Sequence, residues 1–451
     1  MEMNFAKFKD QLFSCGSSQN FSQMELFQNK SRSFKLRVFN QEIDHYAINE
    51  DSGISFRAPI EGKMGYSFTE KMDQESIDLL LDEVKQNAAI VDNSEEEIFS
   101  GSKDYQEIAP YREGLKQISP DKKIELVKRL EKEALEFDDR ISAVNYCLYS
   151  DLEFEERLIN TYGLDLKFKN NIAYIYISVV ARDNDQVKTG SDFYITQDFS
   201  EFSAPEVAHR AAEEALAGFG AQPVESDSYP VVFRNDVMAD FLSAYSSTLS
   251  AENVQKGLSL FKGKIGQNVA SPKITVVDDP FFQGGFQVRP FDAEGVATKE
   301  KCLIEEGELQ TFLHNLKTAR KDGVSSTGNA YRGSHKSYID IAPTNMYIQP
   351  GEYSREELIS SIDQGLLITK LQGMHAGTNS VSGDFSLSAA GFFIKEGEKK
   401  QPVEQITVAG NFIDMLQDIQ MVGEDLKLSL PGSSHIGAPS IKVKSLDISG
   451  S

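Results

Sequence analysis

Three Glu-Gly pairs, each set between apolar strand-like runs, constrain the fold of this chain most. They are Glu61-Gly62 in "SGISFRAPIEGKMGYSFTE", Glu306-Gly307 in "CLIEEGELQTFLH" and Glu396-Gly397 in "GFFIKEGEKKQPV". A turn that short joins antiparallel neighbours, because a parallel connection needs a long crossover. The three are too short and divergent to mark a repeat array. They argue for antiparallel sheet over alternating βαβ units, which makes the fold class α+β. The chain has 451 residues, too many for one ordinary core. Its breaks divide it into 1–105 and 106–228, two small N-terminal α/β units, and 229–451, a β-rich C-terminal domain.

Local patterns fill in these units. The first opens with a helix at 3–13, followed by strand-like "SFKLRVF" and "HYAIN" and then the Glu61-Gly62 hairpin. Asp73 caps the next helix, whose Ile77, Leu80, Leu81 and Val84 form one stripe. The acidic, Ser-rich segment 92–104 reads as a linker. In the second unit Ser119-Pro120 starts a helix with Ile124, Val127, Leu130 and Ala134 on its buried face. "LDLKFK" alternates, Asn170-Asn171 is expected to turn, and "IAYIYISVVA" (172–181) reads as a strand buried on both faces. "SAPE" (203–206) is expected to form a capping box opening an Ala-rich helix. In the third unit "MADFLSAYSSTLSAEN" (238–253) places Met238, Phe241, Leu242, Tyr245 and Leu249 at helical spacing.

Bulk properties narrow the function classes. A formal charge of −23 argues against duplex binding, which needs a basic face for phosphate contacts. Cys15, Cys147 and Cys302 are few, odd in number and far apart, so a reduced cytoplasmic setting is expected over a disulfide framework. The N-terminus mixes charges among its apolar residues, unlike a signal peptide, and 172–181 is too short to span a bilayer. No G-x-S-x-G elbow, Walker loop, C-x-x-C or H-E-x-x-H is present. "GFGAQP" (218–223) follows a helix and reads as its C-cap rather than a dinucleotide loop.

The remaining chemistry-bearing residues each carry a plain structural reading beside the functional one. His209 and Glu213 lie one helical turn apart and could share a metal. The Ala208, Ala211, Ala212 and Ala215 stripe, however, puts them on the wet side as a solvated ion pair. His335, His375 and His435 sit in Gly/Ser-rich loops and could converge on one site. Asp278, Asp279, Asp292 and Glu294 could act as acid and base or hold a hard cation. Asp before Pro is also ordinary turn chemistry, and Arg289 is at hand as a partner. "SVSGDFSLSAAGFF" (380–393) reads as a strand with one apolar face, along whose edge an extended peptide could lie.

The C-terminal half carries a resemblance. "VASPKITVVDDP", "GGFQVRPFDAEGVAT", "LIEEGELQTFLHNLKTARKDGVSSTGNA" and "SVSGDFSLSAAGFFIKEGE" together resemble the TldD/PmbA family. Their order and spacing resemble the PmbA branch, also called TldE and often labelled "modulator of DNA gyrase". The resemblance is specific from about 229 to 445 and weak in the first two units. In the TldD branch the helix after the "VV" strand carries H-E-x-x-x-H, two zinc-binding histidines and a general-base Glu. Laid on this chain, that motif falls on Ser243, Ala244 and Thr248. Residues five apart lie roughly 140° around a helix, so the metal-bearing version is expected to have a distorted turn that Ser and Thr do not require. The family's further cysteine ligand has no counterpart beyond Cys302.

The resemblance thus implies a chain with no metal and no catalytic residue of its own. It implies a non-catalytic partner subunit of a TldD/TldE-type zinc metallopeptidase acting on unfolded peptides, with zinc in the TldD-type paralogue. Peptide-cleft candidates are Asp292, Glu294, His375, Gly383, Asp384 and His435. Neither direct nucleic-acid binding nor membrane association is expected. The alternatives are an independent hydrolase with a relocated metal site, built from His335, His375 or His435 with Asp384 or Asp292, and a peptide-binding or scaffold homodimer.

Overall fold

The computed structural model describes residues 3–91, 98, 101 and 104–450. The expected linker at 92–104 lies largely outside them. About the first quarter of the chain contains α1 (Phe5–Ser18), β1 (Glu25–Phe39), β2 (Glu42–Ile60), β3 (Lys63–Thr69), α2 (Gln74–Ile90) and α3 (Glu113–Lys116). There follow α4 (Pro120–Leu135), β4 (Ile141–Asn160), β5 (Asp165–Asp183), β6 (Gln186–Thr196) and α5 (Ala204–Leu216). All six strands form one antiparallel sheet in the order β3-β2-β1-β4-β5-β6. Because β1 pairs with β2 on one side and β4 on the other, this sheet runs across residue 105 and unites the first two units.

The three Glu-Gly pairs are hairpin turns. At each, both residues take positive φ: 49° and 79° at 61–62, 45° and 86° at 306–307, 54° and 74° at 396–397. That is the handedness that matches the twist of the flanking strands. Asn40-Gln41 makes the same turn between β1 and β2, with φ of 53° and 62°.

Alternation along β1 serves two separate cores on one face. Leu26 packs with Ile54, Phe56 and Ala58 of β2 under α1 and α2. Phe34, Leu36 and Val38 pack with β4, β5, α4 and α5. The opposite face carries Glu25, Phe27, Ser55 and Arg57, all buried, where the C-terminal domain docks. The helix stripes fall as expected on α2, where Ile77, Leu80, Leu81 and Val84 are buried, and on α4, where Val127, Leu130 and Ala134 are buried and Ile124 is half-buried against the same core.

Two local expectations are corrected. Asn170-Asn171 does not turn; β5 runs straight through it, and both side chains are buried. Asn170 Nδ2 donates to the Phe286 carbonyl, and Asn171 Nδ2 to the Arg112 carbonyl. The asparagines therefore pin two loops onto the sheet, a long-range use that local turn chemistry cannot anticipate. The "SAPE" box is not made either: Ser203 precedes α5 but makes no side-chain cap bond. Asp73, by contrast, accepts from Ser76 N as a cap should.

The C-terminal domain starts with β7 (Asp227–Phe233) and α6 (Asn235–Tyr245). β7 pairs in parallel with strand Gln364–Gln372 and antiparallel with strand Ile441–Ser449. Strands Asp384–Lys395 and Glu398–Asn411 continue the sheet, and the latter returns to 441–449 through Thr407↔Ser449. Five strands thus close on themselves. A second sheet of six short strands, 276–278, 301–305, 308–309, 345–348, 427–428 and 435–438, completes the domain. One core spans both sheets and α6. The domain is mainly antiparallel, with parallel pairing also between 345–348 and 435–438. Among the described residues no helix is long and apolar enough to cross a membrane.

Candidate functional site

Helix α6 follows β7 into the middle of the C-terminal core. Met238, Phe241, Leu242, Tyr245 and Leu249 are all buried, as their spacing requires. The α-helix ends at Tyr245 and tightens into a 3₁₀ turn, Ser246–Leu249. The distorted turn expected only of a metal-bearing version is therefore present in this chain without histidines. Its cause is local hydrogen bonding. Tightening frees carbonyls that an α-helix would satisfy, and hydroxyls take them up. Ser246 Oγ donates to Ser243 O at 2.7 Å, Thr248 Oγ1 to Tyr245 O at 2.5 Å, and Ser259 Oγ to Thr248 O at 2.6 Å.

The three motif positions do not converge. Ser243 is exposed, Ala244 is half-buried against the core, and Thr248 is fully buried with its hydroxyl spent on Tyr245. The exposed hydroxyls of this stretch are Ser243 and Ser247, a turn apart, and sequence reasoning passed over Ser247. Hydroxyls and a methyl do not fit a zinc ion, which takes imidazole, thiolate or carboxylate ligands.

The peptide-cleft candidates are dispersed. His435 is buried; its Nδ1 accepts from Phe286 N at 3.0 Å, so its Nε2–H donates to the Ser429 carbonyl at 2.9 Å. Burial holds its pKa down at about 4, so it is a neutral structural histidine. His375 is exposed on the short helix Met374–Gly377. His335 is buried against the N-terminal sheet, where a Cβ on Gly53 would lie 2.2 Å from its Cδ2. The expected convergence of His335, His375 and His435 therefore does not occur.

The acidic candidates are mostly structural. Asp278 is buried in a bridge to Lys301 at 2.9 Å and accepts from Thr344 and Asn329. Asp279 accepts from Phe281 N, the turn role expected before Pro280. Asp292 accepts three backbone N–H bonds, from Glu294, Val296 and Ala330; burial nonetheless pushes its carboxyl up to about 6. Glu294 is buried, accepts from Leu316 N and lies 3.6 Å from Arg57. Arg289 bridges to Glu156 at 3.9 Å. His209 is half-buried, packs on Phe137 and lies 3.9 Å from Glu133 of α4 rather than against Glu213.

Strand Asp384–Lys395 alternates as expected, with Phe385, Leu387 and Ala389 buried. It offers no open edge for a peptide, because strands 364–372 and 398–411 flank it. Its first residues are covered by the preceding turn, where Asn379 N donates to Asp384 O and Thr378 bridges to Phe385. Gly383 has φ of 87°, and the Asn411 amide holds the exposed Asp384 carboxyl below its usual range. A cavity of about 1040 Å³ lies elsewhere, between the end of β6 and the 284–286 loop. Tyr111, Arg112, Tyr194, Gln197 and Phe286 line it, and none of the six cleft candidates does.

Comparison with known proteins places this architecture. Residues 24–88, 113–219 and 226–450 match, in order, domain 1, the central domain and the C-terminal domain of the PmbA/TldA metallopeptidases. The chain is 35% identical to a Thermotoga maritima protein described as a modulator of a DNA gyrase, with a TM-score of 0.91 over 99% of this chain and 100% of that one. It is 26% identical to TldE from Thermococcus kodakarensis, with a TM-score of 0.89 over 98% and 100%. It is also 27% identical to a metalloprotease TldD homologue from Haemophilus influenzae, over 97% and 95%. The metallopeptidase name implies a metal, and the residues at 243, 244 and 248 do not fit one. On three domain matches in sequence order, covering most of its length, the chain belongs to the PmbA/TldD metallopeptidase family.

Proposed function

We propose that this chain is the non-catalytic subunit of a TldD/TldE-type heteromeric metallopeptidase that acts on unfolded peptides in the cytoplasm. One observation carries the reading. The α6 stretch that would hold the metal presents Ser243, Ala244 and a buried Thr248, none of which can bind zinc or activate water. Zinc and the general base belong, on this reading, to a TldD-type paralogue, and this chain helps enclose the substrate. A formal charge of −23 disfavours direct DNA contact, so any effect on gyrase runs through proteolysis of another protein.

The test is reconstitution with the H-E-x-x-x-H paralogue of the same genome. The pair is expected to co-purify and to degrade an unstructured peptide in a chelator-sensitive way, while this chain alone does not. Chelator-sensitive degradation by this chain alone would overturn the reading.

A further inference from the structure

The candidate metal site that the motif positions fail to provide has a counterpart at the junction of the domains. Among the described residues, one group of three metal-capable side chains has ligand atoms within 4.8 Å of one another: Asp51, Glu70 and His335. Asp51 lies on β2, and Glu70 follows β3 where that strand ends beside Gly53. His335 comes from the C-terminal domain, in the loop between 331 and 340.

His335 is 1% exposed, and neither ring nitrogen has a hydrogen-bond partner. Buried ring nitrogens without partners are costly and call for an explanation. Each lies near a different carboxylate: Nδ1 is 3.8 Å from Asp51 Oδ2, and Nε2 is 3.9 Å from Glu70 Oε1. The ring is fixed from behind, since Gly53 leaves room for it and Phe68 meets it edge-on at 6.2 Å. Both carboxylates are more than half exposed, and Glu70 is paired with Lys336.

We propose that His335, Asp51 and Glu70 bind one divalent transition-metal ion of the zinc class, which clasps the C-terminal domain to the edge of the N-terminal sheet. One imidazole with two carboxylates is a borderline donor set that suits zinc over magnesium or calcium. Only one ring nitrogen can take the ion, and bonds of about 2.0–2.2 Å bring ligand atoms to roughly 3.4 Å from one another. The three now lie within 4.8 Å of one another, so the widest gap closes by up to about 1.4 Å through rotation of the two exposed carboxylate side chains. The two carboxylates balance the ion's charge, and solvent completes the coordination. Lys336 is the built-in competitor, with Nζ 2.5 Å from Glu70 Oε1. The site lies on elements other than α6 and is structural, so it stands or falls separately from the peptidase reading.

The experiment uses the full, tag-free chain, stripped with chelator and titrated with Zn²⁺ by calorimetry at pH 7.5. One saturable site is expected, together with a rise in melting temperature on adding Zn²⁺. The double variant Asp51→Asn/Glu70→Gln changes exposed side chains and keeps the fold. It is expected to weaken binding by more than about a hundredfold, the upper end of what loss of a single outer-shell partner costs, and to abolish the zinc-dependent rise. Lys336→Met, which removes the competitor, is expected to tighten binding. No saturable site, or one whose affinity is unchanged in the double variant, would overturn the proposal and leave His335 as an imidazole held only by its two carboxylates.

Discussion

The Tyr245 ring stacks on Phe412 with centroids 4.0 Å apart and planes 6° from parallel. Its hydroxyl reaches the carbonyls of Gly383 and Asp384, each at 3.1 Å. One side chain thus ties the end of α6 to the turn that opens strand 384–395. Tyr245→Phe keeps the stack and loses the hydroxyl, at an expected cost of about 1 kcal/mol. Tyr245→Ala also empties a site only 1% exposed, for about 3–5 kcal/mol. Urea denaturation of the two variants separates the contributions.

Restoring the motif residues is expected to fail. Thr248 is fully buried, and imidazole there overpacks the core by about 1–3 kcal/mol while breaking the bond to Tyr245 O. Ser243 faces solvent, so the two new histidines do not share a face. The triple variant Ser243→His/Ala244→Glu/Thr248→His should melt lower than the parent and show no chelator-sensitive cleavage of an unfolded peptide. Gain of such cleavage would show that this stretch can adopt the catalytic geometry.

The α6 stripe and the Glu-Gly turns were legible in the sequence because each rests on local rules, a 3.6-residue period and a two-residue loop. Long strands were not. "HYAIN" reads as strand-like, but the half of β2 around it, 42–52, is exposed along nearly its whole length, so no buried face marks how far the strand extends. Asn170-Asn171 has turn chemistry locally but is claimed by the distant backbones of Phe286 and Arg112. His335, Asp51 and Glu70 meet only because a glycine at 53 leaves space for a ring from another domain. No window of sequence contains that juxtaposition.

A buried charge cluster joins the same two domains. Arg57 makes a two-pronged bond to Glu25, at 2.6 and 2.9 Å, and Arg332 lies 3.6 Å from the same carboxylate. Both Glu25 and Arg332 are essentially inaccessible, and Arg332 also donates to Ser55 and covers the Phe27 ring at 4.6 Å. Glu25→Gln removes the anion and leaves two guanidinium groups without it in low dielectric. The expected loss is about 3–5 kcal/mol, read as a lower urea midpoint.

His435 gives the fold a defined acid sensitivity. Its pKa is about 4 in the folded chain because burial disfavours the imidazolium, against about 6.5 for an unfolded histidine. Between those values the unfolded chain binds a proton that the folded chain refuses, so stability falls as pH drops from 6.5 toward 4 and levels off below. The full effect is about 3 kcal/mol, at about 1.4 kcal/mol per pKa unit. Asp292 works in the opposite sense, since its carboxyl is raised to about 6 and stability from that group falls as pH rises from 4 to 6. The two are separated by His435→Asn, whose side-chain oxygen can still accept from Phe286 N but does not titrate. The difference in unfolding free energy between parent and variant should shrink by about 3 kcal/mol from pH 7 to pH 4, as the parent loses what the variant never had. A difference that stays constant across that range would show that His435 is charged, or free to charge, in the folded chain.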